Sequence, residues 1–284
     1  MKKSLLELHI SVIIMSATSL FAKLITLSPT DITAFRCLVA SITLLLFARL
    51  TGTGLAILRR ADLGLLLLLG LFMALHWVTF FAAVQMSGVG IALIAVYTFP
   101  IMTVLMEPFF FPERIDGRDL AVAMIVLAGI YLAVPGGFQG GQVALGAAFG
   151  IVSALLLTLR NILYRKYLRG YPSSAMMFYQ IAAAAAILLP FVTRDLDLVA
   201  ENRWLYLILL GVVFTSIAHT LFVGSLRTIK ASTAGLIASL EPIYGMGFAA
   251  AVLAEIPAMM TIAGGIIVVG ASVYTSIRTG RVEK

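Results

Sequence analysis

Apolar runs of membrane-spanning length follow one another along nearly the whole chain, and they leave few folds open. A helical span needs roughly 20 apolar residues, with about 17–25 tolerated. Ten segments meet that length: 5–27, 31–50, 63–86, 88–111, 117–134, 142–165, 173–193, 204–225, 231–254 and 258–277. The breaks between them have turn chemistry. Ser28-Pro29-Thr30-Asp31 supplies a turn and a helix N-cap, Pro135-Gly136-Gly137 ends the fifth segment, and Gly170-Tyr171-Pro172-Ser173-Ser174 opens the seventh. The chain is 61% apolar and 12% charged, with a mean hydropathy of +1.07. Soluble domains sit near about 45–50% and about 25%, so the expected fold class is an all-α integral membrane protein of ten transmembrane helices. Met1-Lys2-Lys3 before an apolar run mimics a signal peptide. The run from Leu5 to Leu27 is too long for that and lacks a small-x-small cleavage site, so it reads as a retained first span.

The second half repeats the first. Phe99-Pro100-Ile101 and Glu241-Pro242-Ile243 are offset by 142 residues. At that offset Phe80 falls on Phe222, Ala92 on Ala234, Glu113 on Glu255, Ala121 on Ala263 and Val126 on Val268, without a gap. Pro135 to Gly141 is the natural junction, which gives halves 1–137 and 138–284. Each copy places a proline inside an apolar segment, a pattern associated with transporters.

Basic residues set the expected topology. With the N-terminus inside, inner loops, helix ends and tails hold 16 of the 20 Lys and Arg residues, whereas the outer loops hold only Arg194 and Arg203. Both termini should then be cytoplasmic. Five spans per half is an odd number, so the second copy enters from the opposite side and the repeat is inverted. Such a pair can exchange conformations between its halves, which is what alternating access requires. The net charge of +7 is explained by this bias and not by nucleic-acid binding.

The stretch Ser239-Leu240-Glu241-Pro242-Ile243 leading to Ala254-Glu255, and its counterpart Thr98-Phe99-Pro100-Ile101 through Pro112-Glu113-Arg114-Ile115, resemble the drug/metabolite transporter superfamily. The chain is similar to EamA-type ten-helix permeases, including the YddG-type amino-acid exporters. The resemblance covers essentially the whole chain. It implies a secondary transporter of the bacterial inner membrane that exports small organic metabolites, most plausibly amino acids. The first copy departs by holding Phe99 where the second holds Glu241, so any role of that carboxylate is asymmetric.

Ionisable groups inside a membrane cost roughly 2.5–3.5 kcal/mol at its centre, so each deep one is a candidate. Glu241 lies about ten residues into the ninth segment, at about 1.5 Å per residue. Pro242 lacks an N–H and should free the carbonyl of Ala238 one turn away. The carboxyl could bind substrate, couple transport to protons, or serve as structural glue. Helical spacing puts Met73, His76, Trp77, Phe80 and Val84 on one face of the third segment. A histidine among aromatics suits an amphipathic ligand; the plain alternative is a buried histidine donating to a backbone carbonyl. Arg36 could clamp a carboxylate near an outward mouth or snorkel, as Lys23 is expected to. Asn161 is a cavity candidate, and its neighbour Arg160 reads as an interface anchor. His219 is a weaker candidate than His76. Tyr97 flanks the first proline and Tyr244 the second. Glu107, Glu113 and Glu255 read as caps or gate contacts. Gly129, Gly264, Gly265 and Gly270 permit close helix packing, within one chain or in a homodimer. Gly235, Gly245 and Gly247 beside Pro242 could let the ninth segment flex.

The expected site is therefore a central cavity touched by the third, fourth, sixth and ninth segments. His76, Trp77, Phe80, Tyr97, Asn161 and Glu241 would contact substrate, Arg36 would guard the outer side, and Pro100 and Pro242 would break their helices. The lone Cys37 excludes an internal disulfide, and neither a metal nor a cofactor is expected. No GxSxG, HExxH, CxxC, Walker A or GxGxxG occurs, which argues against ATP-driven transport and the common hydrolases. Organic cations remain an alternative substrate, with Glu241 and Trp77 as a cage. Nucleotide-type metabolites would need more cationic side chains at mid-depth. A non-transporting assembly or sensor subunit is the alternative from another class. The expected partners are a small-molecule substrate, the lipid bilayer and coupling protons.

Overall fold

The computed structural model describes residues 2–282 except 53, 54, 56–58, 60, 61, 113, 114, 135–140, 169, 170, 194–201, 226–228, 230–233, 235 and 236. Glu113 and Gly235 lie outside the described residues. Every regular element among those described is helical. A lipid environment offers the backbone no hydrogen bonds, and helices satisfy it from within. The elements are α1 (Lys2–Ser16), which passes through a 3₁₀ turn into α2 (Phe21–Leu24), then α3 (Pro29–Thr51) and α4 (Leu63–Ser87). They continue with α5 (Val89–Val96), α6 (Phe99–Met106), α7 (Gly117–Ala133), α8 (Gly141–Tyr167) and α9 (Ser173–Leu188). The rest are α10 (Arg203–Gly211), a π turn at Val212–Ile217, α11 (Ala218–Ser225), α12 (Glu241–Leu253) and α13 (Met259–Val282). Among the described residues six stretches are long and apolar enough to cross a membrane: Lys3–Leu24, Pro29–Thr51, Leu63–Ser87, Val89–Phe109, Gly141–Tyr167 and Arg203–Phe222. Leu50, Phe109, Phe191 and Ile256 stand exposed on the outside of the bundle, as lipid-facing side chains should.

Local chemistry ends the helices. Ser28 Oγ accepts from Asp31 N at 3.1 Å, with Pro29 in the first turn of α3. Asp116 and Asp119 form a reciprocal capping box at the start of α7, and Arg278 of α13 reaches both carboxylates. The Arg118 backbone N–H first, and Arg278 beside it, hold the Asp116 carboxyl below the usual carboxylate range. Glu255 Oε1 accepts from Val89 N at 2.6 Å and caps α5 from the far half of the chain. A side chain on Gly88, whose φ is 84°, would collide with that carboxylate.

The two prolines start helices; they do not kink continuous ones. Pro100 lies in the first turn of α6, after a turn at Tyr97-Thr98, and Pro242 in the first turn of α12. Proline lacks the donor a helix interior needs but fits a first turn without loss, so each segment breaks and restarts at its proline. Neighbouring side chains bond carbonyls at the two breaks. Ser272 Oγ donates to Tyr97 O at 3.0 Å, and Tyr97 Oη lies 2.7 Å from Ala238 O.

Packing gathers α4 against α8 and α9, α3 against α9 and α10, and α1 against α11 and α12. The small-residue faces of α7 and α13 meet each other inside the chain. A Cβ at Gly264 would lie 2.3 Å from Gly129 O, so only glycine fits that crossing. Gly245 packs against Leu93, whereas Gly247 and Gly270 meet no neighbour. Gly264→Leu should cost at least the roughly 1–3 kcal/mol of an overpacked core and lower the thermal midpoint in detergent. An unchanged midpoint would show that α7 and α13 do not pack in this way.

Candidate functional site

A cavity of about 360 Å³ lies in the middle of the bundle, and Arg36, His76, Trp77, Phe80, Tyr97, Asn161 and Glu241 all line it. It draws on more of the chain than expected. Val12 and Thr18 come from the first segment, Gln180 from α9, and His219 and Phe222 from α11.

One wall is the expected face of α4. Met73, His76, Trp77 and Phe80 line the cavity, while Val84, one turn further on, is buried in the packed cluster beyond it. His76 Nδ1 lies 3.0 Å from Ser153 O and 2.8 Å from Ser153 Oγ, and Ser153 Oγ donates to His76 O at 2.8 Å. A carbonyl only accepts, so Nδ1 carries the proton and Nε2 is the acceptor of the neutral ring. His76 thus bonds the backbone of α8 and lines the cavity.

Arg36 sits deeper than an outward mouth. It is 2% exposed, with its guanidinium carbon 3.9 Å from the Trp77 ring centroid. Its Nε donates to Thr215 Oγ1 at 2.7 Å, and Nη1 has no partner. Thr215 belongs to the π turn, where its hydroxyl bonds Leu210 O at 2.6 Å. Such turns are frequent at functional positions, and this one presents a hydroxyl to Arg36 and places His219 edge-on to Trp77 at 6.1 Å. Phe21 packs on Phe214 at 4.7 Å and on Tyr206 at 6.2 Å.

Opposite stands Glu241. Tyr97 Oη lies 2.6 Å from Glu241 Oε2 and 2.7 Å from Ala238 O, the carbonyl that Pro242 frees. The phenol has one proton for two acceptors, so both contacts are hydrogen bonds only when the carboxyl is protonated. Tyr244 packs instead against Leu8 and Val12, and Tyr179 donates to Leu55 O, so neither lines the cavity.

Arg160 is a correction. It lines the cavity, donating Nε to Gln180 Oε1 at 2.7 Å and Nη1 to Asn161 Oδ1 at 3.0 Å, with Nη2 3.8 Å from Met177 Sδ. At 27 residues α8 is long enough to carry Arg160 well inside the bundle while Arg165 and Lys166 remain at its end. Gln180 was not singled out from sequence. A lone amide inside the apolar run 175–188 is the signal that could have found it.

At the bundle ends the other carboxylates behave as caps and ties. Glu107 pairs with Arg165, Asp62 accepts from Tyr171 Oη at 2.5 Å, and Lys23 Nζ donates to Gln85 O at 3.1 Å. Among the described residues no group of three or more His, Cys, Asp or Glu could hold a metal ion.

Comparison with known proteins places this architecture. The sequence model described as the EamA-like transporter family matches residues 3–134 and again 144–277. The pseudopaline exporter CntI of Pseudomonas aeruginosa is 24% identical over 252 residues, covering 88% of this chain and 87% of that one. A probable amino-acid metabolite efflux pump of Salmonella typhimurium is 23% identical over 242 residues, covering 79% and 81%. A solved crystal structure superposes with a TM-score of 0.68 at 19% identity, over 97% of this chain and 98% of that one, which establishes a shared fold.

Proposed function

The chain belongs to the EamA-like transporter family, and we propose that this multi-pass membrane transporter exports amino acids or close relatives from the cytoplasm by alternating access. The observation that carries the reading is that Arg36 and Glu241 line one largely apolar cavity. A zwitterion needs a cation for its carboxylate and an acceptor for its ammonium, and it needs an apolar wall for its side chain. Arg36, the Glu241–Tyr97 pair with His76 Nε2, and the Trp77–Phe80 wall supply these in turn.

In this reading residues 1–137 and 138–284 are inverted halves, and both termini face the cytoplasm. The cavity reaches Tyr164, Met176 and Phe222 toward the basic ends of its helices, and the Phe21 cluster packs the other side. This conformation is then inward-facing in a bacterial inner membrane, loaded from the cytoplasm. Glu241 is the group through which protons couple. An organic-cation substrate fits less well, because Arg36 already covers the Trp77 face a cation would need.

Counterflow in proteoliposomes tests the proposal, with labelled amino acids, organic cations and nucleotides as the panel. Amino acids should accumulate, and His76→Ala should lose most of that accumulation. Accumulation of organic cations alone would overturn the reading.

A further inference from the structure

The cavity holds more positive charge than a zwitterion requires. Arg36 and Arg160 both line it, and among the described residues neither has a carboxylate within ion-pair distance. Arg36 is buried with Nη1 unpartnered. Arg160 spends its bonds on neutral acceptors, the Gln180 and Asn161 amide oxygens and the Met177 sulfur. Gln180 is fully buried, and its Nε2, held beside Arg160 by that bond, has no partner either. Glu241, the one carboxyl in the lining among the described residues, is already bonded to Tyr97.

Buried donors without acceptors are costly, and a buried cation without a counter-ion is more so. Arg36 Nη1 and Gln180 Nε2, two buried donors without acceptors in one cavity lining, therefore point to what the ligand brings. Their placement also constrains its shape. Arg36 stacks on Trp77, Arg160 rests against Met177, and Trp77, Met73 and Met177 belong to one packed cluster. Both guanidiniums thus border one apolar cluster.

We infer that the substrate is an amino dicarboxylate, with one carboxylate on Arg36, the second on Arg160 and Gln180 Nε2, and an apolar chain along that cluster between them. Its amine meets Glu241 and Tyr97. The inference rests on the amino-acid export reading and narrows its substrate class. Arg160 and Gln180 become specificity-determining residues: they decide whether the far end of the substrate must be charged.

An acid and its side-chain amide differ only in that charge, so competition between them tests the inference on the unmodified protein. The probes are glutamate, 2-aminoadipate and 2-aminopimelate, each beside its side-chain amide, as inhibitors of counterflow. At least one acid should compete roughly tenfold or more better than its amide, the scale of a lost charged hydrogen bond. Arg160→Gln should bring acid and amide within about twofold of each other. Gln180→Glu places a carboxylate beside Arg160 and should erase the same preference with the guanidinium kept. Amides that match their acids in the unmodified protein would overturn the inference and leave amino-acid export standing. An acid preference that survives both variants would overturn the assignment to Arg160 and Gln180. Failure of every amino acid, with organic cations accumulating, would overturn both readings.

Discussion

Arg36→Gln is expected to weaken substrate binding by about thirtyfold or more while leaving the fold intact. Truncating one partner of a buried, hydrogen-bonded charge pair costs about 2–5 kcal/mol, and each 1.4 kcal/mol is about tenfold in affinity. The guanidinium is held for that task. Trp77 fixes its plane, Thr215 takes Nε, and the Nη1 edge is left for a carboxylate. Lysine at this position keeps the charge but cannot stack or present a fork, so Arg36→Lys should fall with the glutamine variant. Stability should move the other way. A desolvated cation with no carboxylate partner contributes little to the empty protein, and neutral replacements of buried charge are often tolerated. Binding is read by equilibrium dialysis and stability by thermal unfolding in detergent. A large drop in the thermal midpoint, with binding lost only in proportion, would make Arg36 structural.

Glu241→Gln should separate binding from coupling. Glutamine preserves an oxygen for Tyr97 Oη and an N–H₂ donor beside it, so the Tyr97–Ala238 contact that secures the start of α12 is retained. Exchange of labelled for unlabelled substrate, which needs no proton movement, should persist within a few-fold. Accumulation driven by an imposed pH gradient should vanish, because glutamine exchanges no proton. One pH unit is worth about 1.4 kcal/mol, so a gradient of that size should drive about tenfold accumulation in the unmodified protein and none in the variant. Tyr97→Phe serves as the companion. It removes the donor to Ala238 O but keeps the carboxyl, and should slow exchange while preserving the response to pH. Equal gradient-driven accumulation with and without the Glu241 carboxyl would assign coupling elsewhere.

Much of this cavity was legible in the sequence because membrane burial makes polarity expensive. His76, Trp77 and Phe80 share a face at helical spacing, and Glu241 and Tyr97 flank proline breaks at matching depth in the two halves. Those are local properties, readable one segment at a time. Arg160 was misread because its position in α8 suggested the interface, and only the long run of that helix and its packing against α9 carry it inward. Gln180 and His219 become site residues through neighbours on other helices, Arg160 and Trp77, and no single segment announces those pairings. Arg36 likewise depends on the π turn of a distant segment, whose extra residue leaves no mark in the hydropathy. The prolines show the same division. Their breaking effect is intrinsic, but whether a helix bends or restarts depends on which neighbours can bond the carbonyls at the break, here Tyr97 and Ser272.

The central claim is that substrate occupies the cavity beside Trp77. The chain holds two tryptophans, Trp77 in that cavity and Trp204, which is 47% exposed. In a Trp204→Phe protein the emission of Trp77 reports on the cavity alone, and it can be followed in the same proteoliposomes that carry out counterflow. The account predicts that whichever amino acid accumulates also shifts that emission saturably, with half-saturation matching its transport, and that Arg36→Gln removes both. A substrate that accumulates while Trp77 emission stays unchanged at saturating concentration would place the transport site elsewhere.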